Sequence, residues 1–581
     1  MIETIYTSDV EIEEIKDFRE LFKRPLEKFG DGPAFKYKIR NDKTVKDYRT
    51  ISNSQFIKDY ESLGTMLLEL GLKDKKVALI AENRYEWTVG YAAITAGLGI
   101  VVPLDRALKP AEIETAIIRS GVEGIIYSAS YSDTVQKVRK NKDSKLKVFV
   151  NMDEEKSSRK EESYLRLIEK GAKKLDKGDT TYQDLDINPE AISVLIFTSA
   201  TTSNSKLVAL SQKSICINVA SAAAVFDLTK GDTLLSFLPL SHIFEGTVGF
   251  LYAYYAGATI AYADGLRYLA ENIKEYQISC MISVPLLFEG IQKNIIKEIQ
   301  KQGKYNKFKV GLRLSSMLMK LGIDKRKEIF ADIHRTLGGN VRLLVSGGAE
   351  LSPDVQKWYN SIGLLLTQGY GATETAPIVS AGYPPHVKPG TVGKIFPKVK
   401  VKIDKPDQTG EGEILVKGPT VMMGYYNDIE ATNEVFDEDR WFRTGDLGRF
   451  TEDGYLSVTG RKKTVIVLKN GKNVYPDEIE NALNQIEGVK ESMVFGAPQN
   501  GDKSNPKLCA KLVYDEEYFE KKNEKEIYDY LWKEVKKINK KHSTYKYIKE
   551  IYLSNEELIK TTTRKIKRYE EVKTLEKVLN K

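Results

Sequence analysis

Short, uninterrupted apolar runs alternate along the chain with longer stretches in which apolar residues recur at helical spacing. The runs include Lys76-Val77-Ala78-Leu79-Ile80, Gly124-Ile125-Ile126-Tyr127, Val148-Phe149-Val150, Ile192-Ser193-Val194-Leu195-Ile196-Phe197 and Val341-Arg342-Leu343-Leu344-Val345. Runs of this length, rich in β-branched residues, suit strands buried on both faces of a parallel sheet. Ser54 to Gly71 has the helical spacing expected between such strands. Residues 154–178 and about 290–330 are charged and helical in pattern, as surface helices or insertions would be. From about residue 395 the pattern turns to short strands with Gly and Asp turns, as in 412–418 and 454–458. Beyond Gly460-Arg461-Lys462-Lys463, helices are predicted over Asp477–Gln485 and Glu526–Lys540, and strands over Glu491–Gly496 and Leu508–Tyr514. The pattern predicts an α/β chain. A large N-terminal domain, residues 1–459, contains layered α/β subdomains and a β-rich subdomain; a small α+β domain, residues 460–581, follows.

Two stretches of 18 residues, Trp87–Leu104 and Gly246–Ala263, carry no charge. That length is enough to span a bilayer. Gly97 and Gly257 interrupt them, and each reads better as a helix followed by a short buried strand. The 581 residues are 41% hydrophobic and 29% charged, which excludes a largely disordered, fibrous or membrane-embedded chain. Cys216, Cys280 and Cys509 lie far apart with no Cys/His cluster, so neither a disulfide framework nor a zinc site is expected. The start Met1-Ile2-Glu3-Thr4 has no basic segment leading into an apolar run, and a cytoplasmic setting is expected. Residues 521–581 hold 18 Lys and Arg against 10 Asp and Glu, which equals the net charge of +8 for the whole chain. The rest is neutral. A basic C-terminal module attracts phosphate groups or an anionic membrane surface. It lacks the aromatic-interleaved strand pair or DNA-reading helix of a nucleic-acid binder.

Four constellations carry candidate chemistry. Thr198-Ser199-Ala200-Thr201-Thr202-Ser203-Asn204-Ser205-Lys206 follows a predicted strand. Hydroxyls and backbone N–H groups on such a loop can donate to phosphate oxygens, and the lysine adds a point charge. No GxxxxGK[ST] loop is present. Gln368-Gly369-Tyr370-Gly371-Ala372-Thr373-Glu374-Thr375, with Ser346-Gly347-Gly348-Ala349-Glu350 about twenty residues before it, offers close backbone approach, an aromatic face and a carboxylate for a hard cation. Asp446, in Trp441-Phe442-Arg443-Thr444-Gly445-Asp446, can accept both hydroxyls of a ribose, and Arg461 can brace ribose or phosphate. The fourth is the basic run Ile559-Lys560-Thr561-Thr562-Thr563-Arg564-Lys565-Ile566-Lys567-Arg568. Each taken alone also reads as an ordinary polar loop, glycine turn or solvated tail.

Together, in this order and spacing, the four resemble the AMP-forming adenylating superfamily, over nearly the whole chain. Within it the sequence is most similar to bacterial long-chain fatty-acyl-CoA synthetases, through stretches such as Ala81-Glu82-Asn83-Arg84-Tyr85-Glu86-Trp87 and Leu238-Pro239-Leu240-Ser241-His242-Ile243-Phe244-Glu245. The resemblance implies a ligase that condenses a medium- to long-chain fatty acid with ATP to acyl-AMP and passes the acyl group to CoA, releasing pyrophosphate and AMP. It implies that Lys565 bridges the carboxylate and α-phosphate, and that Thr198, Ser199, Thr201, Thr202 and Lys206 cradle the outer phosphates. Thr373 would touch the α-phosphate and Glu374 would hold Mg2+. Gly348, Ala349 and Tyr370 would enclose the adenine, with Gly371 also at the nucleotide, and Asp446 and Arg461 would take the ribose. Lys463 falls at the hinge of a mobile C-terminal cap, Gly471 would line the CoA passage, and His242 would gate the acyl tunnel; a packed core histidine is the competing reading. A long-chain substrate also implies peripheral contact with an anionic inner membrane face.

The phosphate loop departs from the superfamily pattern TSGTTGxPKG. Ala200 and Ser203 replace the first two glycines, Ser205 the proline and Leu207 the last glycine. Where such a position needs positive φ or close phosphate approach, a methyl group costs about 1 kcal/mol or more. Ile559 and Arg564 stand where the wider pattern has Pro and Gly. Three alternatives therefore stay open: a ligase that stops at acyl-AMP, one that uses an acyl-carrier protein, and a nucleotide-binding pseudoenzyme.

Overall fold

The computed structural model describes residues 4–39, 48–158, 161–198, 205–468, 473–499, 502–560 and 566–579. The chain packs as two compact units. One comprises Ile5–Val401 with Val416–Phe442; the other comprises the extreme N-terminus, Lys402–Leu415 and Arg443–Lys581.

The first unit is built on two large sheets. The nine-stranded sheet runs, in spatial order, Lys394–Ile395, Ile378–Ala381, Leu365–Gly371, Leu343–Ser346, Cys280–Ser283, Thr233–Ser236, Thr259–Tyr262, Pro33–Lys38, Tyr48–Ser52. Its six inner strands, from Leu365–Gly371 through Pro33–Lys38, are mutually parallel. The eight-stranded sheet centres on Ile192–Phe197, Ile100–Pro103, Lys76–Ile80, Gly124–Tyr127 and Val148–Asn151, also parallel. The apolar runs are buried as expected, because helices cover both faces. The helix Asn53–Glu69 begins where Ser52 accepts from the Gln55 N–H, satisfying one of the donors left open at a helix start. Phe22, Phe35, Phe56, Phe250 and Tyr254 pack ring against ring in the core, with centroids 4.9–6.3 Å apart in the closest pairs.

The two uncharged stretches fold as helix then strand: Tyr85–Thr95 into Ile100–Pro103, and Glu245–Tyr255 into Thr259–Tyr262. Among the described residues no helix is long and apolar enough to cross a membrane. The strand expected over Val341–Val345 starts two residues later. Both the Arg342 and Leu343 N–H groups converge on the Ser279 carbonyl, and the Arg342 guanidinium turns aside to Asp232. Of the described residues there, 154–158 and 161 are not helical; the helix is Tyr164–Leu175. The 290–330 region is two long helices, Pro285–Lys301 and Tyr305–Lys320, and the short Arg326–Ile329.

The second unit holds most of a four-stranded sheet, Lys400–Asp404, Gly412–Lys417, Phe442–Phe450 and Leu456–Arg461. It also holds a three-stranded sheet, in which the hairpin Val489–Gln499 and Asp502–Tyr514 takes Glu550–Ser554 as a parallel third strand. The helices Pro476–Leu483 and Glu524–Asn539 cover this sheet through Ile479, Leu483, Leu531 and Val535. Asn523 and Glu526 form a reciprocal capping box that fixes where the second helix starts. Cys216, Cys280 and Cys509 are buried free thiols.

Candidate functional site

The antiparallel strands Ile192–Phe197 and Leu207–Ser211 flank the Ser/Thr-rich segment in sequence. The described residues at its two ends are held together. The Thr198 N–H donates to the Lys206 carbonyl, and the Lys206 N–H donates to Thr198 Oγ1, both at 2.9 Å. Arg119 donates to the Ser205 carbonyl at 2.8 Å and lies over the Phe197 ring. Ser199, Ala200, Thr201, Thr202 and Ser203 lie outside the described residues.

Lys206 turns its ammonium over the ring of Tyr425, 4.5 Å from the centroid. The Tyr425 hydroxyl donates to Glu374 Oε1 at 2.9 Å, and the Met422 N–H donates to the Glu374 carbonyl at 2.8 Å. Burial, and next the Glu374 carboxylate, hold the Tyr425 phenol well above its ordinary range, so it remains a proton donor. Lys206, Tyr425 and Glu374 therefore meet although they are far apart in sequence. Tyr425 escaped the sequence reading. Its signal is the two-residue strand Gly424–Tyr425, which adds to the edge of Leu207–Ser211 and is too short for any periodicity.

Glu374 sits in a single tight helical turn, Thr373–Thr375. The turn is braced by Thr375 Oγ1, which donates to the carbonyls of Ala372 and Pro377. Ala376 follows in the left-handed region at φ 62°, an unusual cost for a residue with a Cβ. Gly371 lies against this turn so closely that a Cβ would stand 1.8 Å from the Pro377 carbonyl oxygen. Tyr370 and Thr373 are half-buried beside it.

Gly348 and Ala349 lie exposed at the end of the strand Leu343–Ser346, Gly348 at φ 82°. The Gln368 amide donates to the Ala349 carbonyl at 3.3 Å and so ties this turn to the Gly369-Tyr370 strand. Gly347 faces the Phe244 ring; a Cβ there would be 2.9 Å from it. This contact brings the His242 turn alongside. His242 is half-buried, and its Nδ1 accepts from the Phe244 N–H at 3.3 Å. Three residues after His242, Glu245 is wholly buried. Its Oε1 accepts from Ser236 Oγ at 2.6 Å and its Oε2 has no partner among the described residues. Burial pushes its carboxyl up to about 8. Nothing in the run Leu238–Glu245 distinguishes it from a surface acid.

In the second unit Asp446 and Arg461 oppose each other across adjacent strands. Arg461 Nε donates to Asp446 Oδ1 at 2.8 Å; Asp446 is buried and Arg461 exposed. The Asp446 N–H donates to Thr444 Oγ1, and Gly445 between them takes φ 71°. Lys463 is exposed in the turn that follows. Gly471 and Lys565 lie outside the described residues. Lys560 and Ile566, which flank Lys565 in the sequence, form an isolated antiparallel bridge.

A single carboxylate beside hydroxyl donors suits Mg2+, which keeps most of its water and takes one or two carboxylates plus substrate phosphates. Glu374, with one oxygen held by Tyr425 and the other open among the described residues, fits that role. No cluster of three or more potential metal ligands occurs among the described residues.

A family model described as AMP-binding enzyme matches residues 22–426. The chain belongs to the AMP-binding enzyme family. A companion model, the AMP-binding enzyme C-terminal domain, matches residues 463–581. This AMP-binding enzyme is 30% identical over 510 residues to the long-chain-fatty-acid–CoA ligase 5 of Rattus norvegicus, covering 83% of this chain and 73% of that protein. It is 28% identical over 473 residues to the long-chain-fatty-acid–CoA ligase FadD15 of Mycobacterium bovis, covering 78% and 75%. Among solved structures, it superposes on the anthranilate CoA ligase AuaEII in complex with anthranoyl-AMP with a TM-score of 0.76 at 19% identity, covering 97% and 98% of the two chains. A Mycobacterium tuberculosis fatty acyl CoA synthetase gives a TM-score of 0.63 at 20% identity, covering 96% and 98%. At these identities the structural likeness establishes the fold.

Proposed function

We propose that this AMP-binding enzyme is an acid–thiol ligase. It activates a medium- to long-chain fatty acid with ATP to acyl-AMP and transfers the acyl group to CoA. A carboxylate resists nucleophiles because of its charge; adenylation turns AMP into a leaving group. The chemistry is chiefly positioning and charge neutralisation. The observation that carries this reading is the Lys206–Tyr425–Glu374 cluster, with Lys206 itself paired to Thr198: a cation and a carboxylate held together by one aromatic residue.

Within this reading Thr198, Ser199, Thr201, Thr202 and Lys206 bind the outer phosphates, and Thr373 the α-phosphate. Gly348, Ala349, Tyr370 and Gly371 frame the adenine. Glu374 holds Mg2+, which supplies charge neutralisation on the phosphates when bound. Asp446 accepts from the ribose hydroxyls, with Arg461 releasing or sharing its carboxylate. Lys565 delivers the ammonium group that neutralises charge at the reacting phosphorus, and His242 gates the acyl end. The functional boundary is placed at residue 460, with Lys463 as hinge and Gly471 on the CoA passage. A cytoplasmic enzyme touching the anionic inner membrane face completes the reading, since long-chain acids partition into bilayers.

The test is ATP–pyrophosphate exchange across acids from short to long chain, then CoA addition with thioester detection. Lys565→Ala is expected to lower exchange by about 100-fold or more. Full exchange in that variant would contradict the role given to Lys565. The altered loop around Ala200 favours one rival, a nucleotide-binding pseudoenzyme; nucleotide binding with no exchange for any acid would select it.

A further inference from the structure

The helix Tyr305–Lys320 has two apolar faces. One packs inward: the Phe308 ring meets Phe330 and Trp358, with centroids 5.6 and 6.4 Å apart, and Leu312 joins the same core. The other faces solvent. Val310, Leu314, Met317 and Leu321 recur at i, i+4, i+7 and i+11, which places them on one stripe opposite Phe308 and Leu312. They are 62%, 43%, 55% and 68% exposed. A monomer rarely leaves so many large aliphatic side chains aligned in water. Gly322, at φ 75°, stops the helix, and the Ile323 N–H returns to the Leu318 carbonyl. This keeps Leu321 and the exposed Ile323 beside the stripe.

Cations border the stripe. Lys309, Arg313 and Lys320 project along one side and Lys307 along the other, all exposed. Residues 301–327 contain nine Lys and Arg and one acid, Asp324, which is occupied by Arg326. An apolar strip edged by long cationic side chains matches an anionic bilayer. The aliphatics enter the headgroup boundary while the lysines and arginine reach outward to lipid phosphates. The same edges disfavour a second copy of the chain, because apposed stripes would bring like charges together.

We propose that the helix Tyr305–Lys320 and its cap are the surface by which this protein docks on an anionic lipid bilayer. This rests on the membrane-contact reading above and moves the contact from the basic C-terminal module to the first unit. The electrostatic edge steers and the stripe anchors, so both salt and aliphatic substitution weaken binding.

The test is co-sedimentation of the full chain, without ATP or CoA, with vesicles of phosphatidylcholine alone and with phosphatidylglycerol in about equal parts. Wild type is expected to pellet with the anionic vesicles and not with the neutral ones. Leu314→Glu/Met317→Glu and Lys307→Glu/Arg313→Glu should each lower the bound fraction about tenfold or more. Lys533→Glu/Lys540→Glu/Lys541→Glu, in the C-terminal module, should leave it unchanged. Leu314→Trp keeps the stripe apolar, and its added emission should shift to the blue on anionic vesicles; an unmoved emission counts against the proposal. Binding retained by both stripe and edge variants but lost in the C-terminal one overturns this surface and leaves membrane contact standing. A wild type indifferent to anionic lipid overturns both. Self-association abolished by Leu314→Glu/Met317→Glu, with no vesicle binding, would make the stripe a protein interface and overturn the assignment.

Discussion

Replacing Glu245 by Gln tests whether the acid beneath the His242 turn is held neutral. The side chain is wholly buried, with one oxygen bound to Ser236 and the other unpartnered among the described residues. An ionised carboxylate there would lack most of the donors it needs. Burial accordingly raises the carboxyl from 4.5 to about 8. The folded state then holds a proton that the unfolded chain releases above pH 4.5. Stability from this group is complete below the unfolded value and is lost as pH rises to about 8. The full swing is about 5 kcal/mol, from a shift of 3.5 pH units. Gln has nearly the same shape, which matters because Gly249 packs against the carboxyl carbon with no room to spare. It carries no titration. Its amide leaves N–H groups without a partner, at a pH-independent cost of about 1–3 kcal/mol.

All other groups titrate alike in the two proteins and cancel. Urea unfolding of both at about pH 5.5 and about pH 7.5 should therefore show wild type losing about 2–3 kcal/mol relative to Glu245→Gln. Difference infrared spectra at neutral pH should show a protonated carboxyl band that the variant lacks. Parallel pH profiles, or no such band, would mean that the carboxylate is ionised and partnered, and the reasoning about this pocket would fail.

Gly371→Ala should destabilise the protein by about 3 kcal/mol in urea unfolding, because its Cβ meets the Pro377 carbonyl oxygen at 1.8 Å, whereas Gly32→Ala, with nothing within 4 Å, should be silent. Equal stability of the two variants would show that the turn yields. Tyr425→Phe should raise the KM for Mg·ATP several-fold with the fold unchanged, since Glu374 loses its 2.9 Å donor and Lys206 keeps its ring; an unchanged KM would detach Tyr425 from the nucleotide site. Asp446→Asn should weaken ATP binding about tenfold or more in calorimetry, because the amide offers one acceptor oxygen where the ribose hydroxyls and Arg461 call for two. Wild-type affinity in that variant would remove Asp446 from the ribose.

The readable parts of this chain are those in which one local rule suffices. Ile192–Phe197 and Gly124–Tyr127 are runs of apolar residues, and the pattern gives the strands to the residue because burial on both faces leaves nothing else for such runs to do. The helix at Tyr305–Lys320 was legible as a helix, but its second apolar face was not: a period of 3.6 marks which residues align, not which aligned set is covered. The strand Glu550–Ser554 was missed because it lies on the edge of a small sheet and buries only Ile551 of its five residues, which leaves no period of two to read. The site divides in the same way. Asp446 and Arg461 were visible as residues, and their 2.8 Å pairing follows from a strand register that no spacing in the sequence encodes. Tyr425 joins Lys206 to Glu374 through a two-residue edge strand, and the Glu245 carboxyl is pushed up only because the fold buries it completely. Both effects are tertiary: the first is set by which strand lies at the sheet edge, the second by removal of water from a carboxyl. Residue chemistry was therefore legible wherever a motif names it, while protonation state and partner choice had to wait for the packing that creates them.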